Sequence, residues 1–83
     1  MTPTQYWQET EKGLYRKFLF KDFTEAFGFM SKVAILAEKY DHHPTWTNTN
    51  NKVEIWLITH DMGNTISLKD IDFAKQINEM FTS

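Results

Sequence analysis

The chain contains no cysteine. That excludes a disulfide framework and a thiolate metal site, so the fold rests on packing alone. No uninterrupted apolar run approaches the ~20 residues of a membrane-spanning helix, and none reads as a secretory signal. A soluble, cytoplasmic protein is the expectation. Lysine and arginine number 9 against 11 aspartates and glutamates, a net charge of -2, and they form no basic cluster. Direct nucleic-acid binding is therefore not expected. There is no internal repeat, linker or low-complexity tract, and 83 residues suit a single domain spanning 1–83.

What the chain has is apolar and aromatic material: 41% hydrophobic residues, 16% aromatic. A domain of this size buries roughly 60–65% of its unfolded surface. Such a composition fills a core and leaves aromatic surface over for a ligand pocket or a subunit interface. A homo-oligomer, dimer or tetramer, is expected.

Residues Tyr6 to Glu9 read as a weak strand and Glu11-Lys12-Gly13 as a turn. Leu14, Arg16, Phe18 and Phe20 alternate with Tyr15, Lys17 and Leu19, the period of a strand. Asp22 or Thr24 can cap a helix running to about Tyr40. Phe23, Ala26, Phe27, Met30, Val33, Ala34 and Ala37 follow the spacing of one buried stripe, with Phe29 and Leu36 off it on a second apolar edge. A short edge strand around Thr45 to Asn48 precedes a central strand from Lys52 to Thr59, with Val53, Ile55 and Leu57 facing one way and Glu54, Trp56 and Ile58 the other. Ser67-Leu68-Lys69-Asp70 resembles a capping box and opens a last helix to about Phe81, with Ile71, Ala74, Ile77 and Phe81 on one face. The order ββαββα predicts an α+β domain: a four-stranded antiparallel sheet with two helices packed on one face. Arg16 reads as a snorkelling edge residue that can also pair with an acid.

All three histidines fall at element ends. His42 and His43 are stopped by Pro44, so they sit where a helix gives way to a loop; His60 ends the central strand, on the Trp56/Ile58 side if the strand stays regular. Three readings stay open on spacing alone. Imidazole both accepts and donates protons near neutral pH, which suits acid–base catalysis. Glu38, four residues before His42, is placed to orient that ring; Asp41 and Asp61 flank the other histidines, and Trp46 offers a flat face to a planar ligand. Zinc would accept three imidazoles, although adjacent histidines diverge and no His-x-His or His-x-x-x-His spacing is present. A plain helix-end role, with histidine at the negative end of the dipole, is the third.

Glu38-x-x-x-His42-His43-Pro44-x-Trp46, then Val53-x-Ile55-x-Leu57-x-Thr59-His60, then glycine, serine and aspartate at a helix start, resembles the pterin-4a-carbinolamine dehydratases. Trp7, Leu14-x-Arg16-x-Phe18-x-Phe20, Asp22-Phe23 and Ala37-Glu38 also match, so the resemblance runs from about Trp7 to Ile77. It implies a four-stranded antiparallel sheet with helices on one side. It also implies dehydration of 4a-hydroxytetrahydropterin to quinonoid dihydropterin, which regenerates the cofactor of aromatic amino-acid hydroxylases without a metal or organic cofactor. The family's functional histidines map onto His42, His43 and His60, and their acidic and aromatic partners onto Glu38, Asp41, Trp46 and Asp70. His60 and His42 are expected to share the acid–base work and His43 to bind the pterin. Gly63-Asn64-Thr65-Ile66-Ser67 departs from the family pattern by one extra residue, so Asp70 aligns across an insertion and reads equally as a helix cap. The alternative function is a non-catalytic interaction or assembly module on the same fold.

Overall fold

The computed structural model describes residues 5–60 and 63–82, the last by its backbone alone. Strands β1 (Gln8–Thr10) and β2 (Gly13–Leu19) form a hairpin, helix α1 spans Phe23–Tyr40, strands β3 (Thr45–Thr49) and β4 (Lys52–Leu57) form a second hairpin, and helix α2 spans Leu68–Thr82. The sheet order is β1-β2-β4-β3, antiparallel throughout. This is the α+β architecture that the alternation and helical spacing predict.

The first hairpin depends on Gly13. It turns with φ of 114°, and a Cβ there would lie 2.2 Å from the Leu57 carbonyl oxygen, so no other residue fits. Pairing of Leu14 with Leu57 and of Tyr15 with Trp56 sets which side chains share a face. Leu14, Phe18, Val53, Ile55 and Leu57 are buried under the helices with Ala26, Phe29, Val33 and Ala37 of α1 and Phe73, Ala74 and Ile77 of α2. The opposite face carries Tyr15 packed against Trp56, with ring centroids 5.2 Å apart and planes tilted by 40°. The Tyr15 hydroxyl donates to Glu54 at 2.7 Å. That bond raises the tyrosine pKa and lowers that of the glutamate.

Two expectations need correction. In α1 the buried stripe is Ala26, Phe29, Val33 and Ala37, with Met30 and Leu36 packed beside it, while Phe23, Phe27 and Ala34 are exposed. Two apolar stripes overlap in this helix, and Phe29 wins because its ring sits 4.8 Å from Phe18 of β2 and 5.0 Å from Phe20. In α2, Phe73 joins Ala74 and Ile77 in the core, with Ile71 and Phe81 only partly buried. Arg16 meets aromatic rings and a side-chain amide. Its guanidinium lies over the rings of Tyr6, Phe18 and Phe81, donates to Asn78 Oδ1 at 2.5 Å, and has its pKa lowered by burial.

Candidate active site

Three element ends meet at one edge of the domain. Asp22 caps the start of α1 by accepting from the Glu25 amide. At the other end Asp41 adopts the left-handed conformation (φ 51°), and the amides of Asp41 and His42 close back on the carbonyls of Glu38 and Ala37. This is a Schellman closure with aspartate, one of the few non-glycine residues that tolerate the left-handed region, in the glycine place. The residue before a proline is barred from the helical region, so His43-Pro44 sends the chain into β3. β4 ends at Leu57; beyond it Thr59 makes an antiparallel bridge to Thr65. Ser67 then starts α2: its amide donates to Asp70 at 2.9 Å and its hydroxyl accepts from the Lys69 amide at 3.3 Å. That is the capping box in a form where the shorter aspartate reaches back.

Asp70 is also more than a cap. It is fully buried, and its Oδ1 faces His42 Nε2 at 2.5 Å while Oδ2 accepts from the Thr59 hydroxyl at 2.8 Å. It therefore acts on His42 and presents no surface of its own to a ligand. The His42 side chain retains 12% exposure. Its ring lies 6.0 Å from Phe73, and the two line a cavity of about 290 Å³ with Tyr40, Lys69, Asp72, Lys75 and Gln76. Among the described residues every buried side-chain nitrogen and oxygen has a hydrogen-bond partner.

The other expected residues are distributed differently. Glu38 does not orient His42; its carboxylate meets His43 Nε2 at 2.7 Å, both groups largely exposed. The helix ends at Tyr40, so the one-turn spacing that would have stacked Glu38 under His42 is broken before it is completed. His60 is exposed on the open face, as the strand alternation predicts, where it shares a broad cavity of about 450 Å³ with Trp56, Ile58, Thr45, Thr47 and Asn64. Its Nδ1 is 2.7 Å from Asn64 Oδ1. Trp46 pairs with Ile55 and packs, partly buried, against the core; it lines neither histidine cavity. The Asp41 side chain is exposed, and Asp61 lies outside the described residues. Among the described residues, no three histidine, aspartate or glutamate side chains converge as a metal-holding group.

Sequence reasoning missed Thr59, Asn64 and Phe73. The first two adjoin motif residues: Thr59 precedes His60 directly, and Asn64 sits in the inserted loop, four residues beyond that histidine. Phe73 is three residues after Asp70, one helical turn on, which is where a residue must stand to cover the same imidazole.

Comparison with known proteins gives the family. The family model for pterin 4 alpha carbinolamine dehydratase matches residues 1–80. A protein of Rhodopseudomonas palustris (strain BisB18) bearing a pterin-4-alpha-carbinolamine dehydratase name is 51% identical over 70 residues, covering 84% of this chain and 68% of its own. One of Prochlorococcus marinus (strain NATL2A) with the same name is 51% identical over 77 residues, covering 93% and 80%. The crystal structure of a transcriptional coactivator/pterin dehydratase from Brucella melitensis superposes with a TM-score of 0.84 at 43% identity, covering 90% of this chain and 81% of that one. The chain belongs to the pterin-4a-carbinolamine dehydratase family, and its activity class is that of a hydro-lyase.

Proposed function

We propose that the protein removes water from a 4a-hydroxytetrahydropterin by histidine general acid–base catalysis, giving quinonoid dihydropterin and so regenerating the cofactor of aromatic amino-acid hydroxylases. The observation that carries this reading is the His42–Asp70 pair, a nearly buried imidazole on a fully buried carboxylate at the wall of a cavity. In the reaction the C4a–O bond breaks and an acid delivers a proton to the departing hydroxyl, which leaves as water. A base takes the proton from N5, and C4a=N5 forms. Two imidazoles supply both groups, because an imidazole donates a proton as the cation and accepts one as the neutral ring. Each such transfer contributes roughly 10²–10⁴-fold.

Each of these two imidazoles offers one nitrogen to the protein and keeps the other for substrate. A carboxylate only accepts, so the His42 Nε2 that faces Asp70 carries a proton, and in the neutral ring Nδ1 is the acceptor. An amide oxygen likewise only accepts, so His60 holds its proton on Nδ1 and frees Nε2. His42 and His60 share the acid and base steps in this reading, although they line separate cavities. His43, exposed and tied to Glu38, binds and polarises the pterin; Asp41 and Asp61 complete the substrate contacts. No metal or organic cofactor enters the scheme, and the working location is the cytoplasm. No helix among the described residues is long and apolar enough to cross a membrane. Phe23, Phe27 and Ile35 of α1 are exposed at 50, 57 and 72%, and we assign this edge to contacts between copies in a homodimer or homotetramer.

The second reading, a non-catalytic assembly module, draws on that same edge and on the coactivator half of the Brucella protein's name. One assay separates them. Stopped-flow mixing with 4a-hydroxytetrahydropterin should show dehydration well above the uncatalysed rate; no acceleration would remove the enzymatic reading.

A further inference from the structure

We propose that Thr59 and Ser67 are positioning residues: acting through Asp70, they fix the tautomer and ring orientation of His42. The inference rests on His42 being an acid–base group. Hydrogen-bond direction carries it. The Ser67 amide donates to Asp70 Oδ2 at 2.9 Å, and the Thr59 hydroxyl donates to the same oxygen at 2.8 Å. The two hydroxyl oxygens are 2.5 Å apart. The Ser67 hydroxyl lies 3.5 Å from Asp70 Oδ2, too long to compete with the Thr59 hydroxyl at 2.8 Å, so the Thr59 hydrogen goes to Asp70 and the Ser67 hydrogen to Thr59, while the Lys69 amide donates to Ser67 Oγ. The donors thus run one way: Lys69 amide to Ser67, Ser67 to Thr59, Thr59 to Asp70. Such a chain polarises its members in a low-dielectric interior. Its effect is to occupy Oδ2 and leave Oδ1 for His42 Nε2.

A helix cap alone does not require this. Capping is complete with the Ser67 amide on Asp70 and the Ser67 hydroxyl on the Lys69 amide. The Thr59 hydroxyl comes from outside the helix, beyond the end of β4, and Thr59 is itself 3% exposed. Its backbone is pinned too: its amide donates to Thr65 at 2.9 Å and its carbonyl accepts from Thr65 at 3.1 Å. The residue that steadies Asp70 therefore also fixes the chain leading into His60. The residue type fits the place. Threonine supplies a β-branched side chain for a strand end and a hydroxyl that donates and accepts at once.

The test uses Thr59→Val, which keeps the shape and removes the hydroxyl, Thr59→Ser, which keeps the hydroxyl, and Ser67→Ala. The imidazole ¹⁵N spectrum of the wild-type protein should show His42 as the Nε2-protonated tautomer. In Thr59→Val that signature should give way to a mixture and kcat should fall about 10-fold, with KM within about 2-fold, as expected when a reacting group loses its orientation. Ser67→Ala should shift both readouts in the same direction by less. Thr59→Ser should restore both. An unchanged ¹⁵N signature and kcat in Thr59→Val would overturn the proposal, as would a Thr59→Ser variant as impaired as Thr59→Val, since that would make the methyl packing responsible. The spectroscopic readout needs no turnover, so an inactive wild-type protein would count against the proposed function and leave the hydrogen-bond chain standing.

Discussion

Two imidazole–carboxylate pairs lie a few residues apart and differ in almost everything except distance. His42 meets Asp70 at 2.5 Å with side chains 12% and 0% exposed; His43 meets Glu38 at 2.7 Å with side chains 57% and 80% exposed. The first carboxylate is held by the Thr59 hydroxyl and the Ser67 amide, so its orientation is decided before a ligand arrives. The second hangs on the last turns of α1 in water, where screening and side-chain entropy leave an ion pair worth little. Proximity alone would rank the two alike. Burial and the partners behind the carboxylate make one a fixed acid–base device and the other an adaptable contact.

The comparison can be broken most sharply at Asp70. Replacing it with alanine leaves the Thr59 hydroxyl and Ser67 amide without their acceptor and His42 without its anchor. A stability loss of about 3 kcal/mol is expected. Thermal melting should register that as a fall of more than about 10 °C for a domain of this size, whereas Glu38→Ala should hardly move the melting point. An equal, small shift for both would show that burial does not divide the pairs. Next in size is His60→Ala. Its imidazole is exposed and held by the Asn64 side chain, so dehydration should slow at least ~10²-fold while the circular dichroism spectrum and melting point stay put. Near-normal turnover would remove His60 from the mechanism. Asn64→Ala should cost less, within about 10-fold, because it frees the ring without deleting it.

The smallest effect concerns pH, on the open face of the sheet. Glu54 is held below its usual carboxylate range, first by the Tyr15 hydroxyl and also by Lys52, so it contributes stability above the unfolded carboxylate range that is lost as pH falls through its folded value. Tyr15, raised by the same bond and by burial, contributes stability below the unfolded tyrosine value that is lost as pH rises through its folded one. The melting-point difference between wild type and Glu54→Gln should therefore be largest between those limits and shrink towards both acid and alkali. A difference independent of pH would show that the Tyr15–Glu54 bond does not form.

The fold was legible because each element carries its own signal. Strand alternation fixed the two faces of the sheet, Gly13 the first turn, Asp22 the start of α1 and Pro44 its end. The rotation of α1 was not legible. Phe23, Phe27 and Phe29 are equally apolar, and only the ring of Phe18 across the core decides that Phe29 goes in. The same limit held at the site. Glu38 and His42 have helical spacing, but the helix stops at Tyr40 and the partnership passes to His43. Asp70, legible as either a cap or a site residue, is both, because Ser67 and Thr59 occupy one carboxylate oxygen and leave the other for His42. Such long-range pairing of a strand end with a helix start leaves no mark in local sequence.

The central claim is that burial separates the two adjacent histidines into a reacting group and a binding group. Steady-state dehydration of 4a-hydroxytetrahydropterin by His42→Ala and His43→Ala, measured side by side, tests it most directly. The account predicts a loss of at least ~10²-fold in kcat for His42→Ala, and for His43→Ala a raised KM with kcat within about 10-fold of wild type. Equal losses of kcat in the two variants, or a larger loss in His43→Ala, would contradict it.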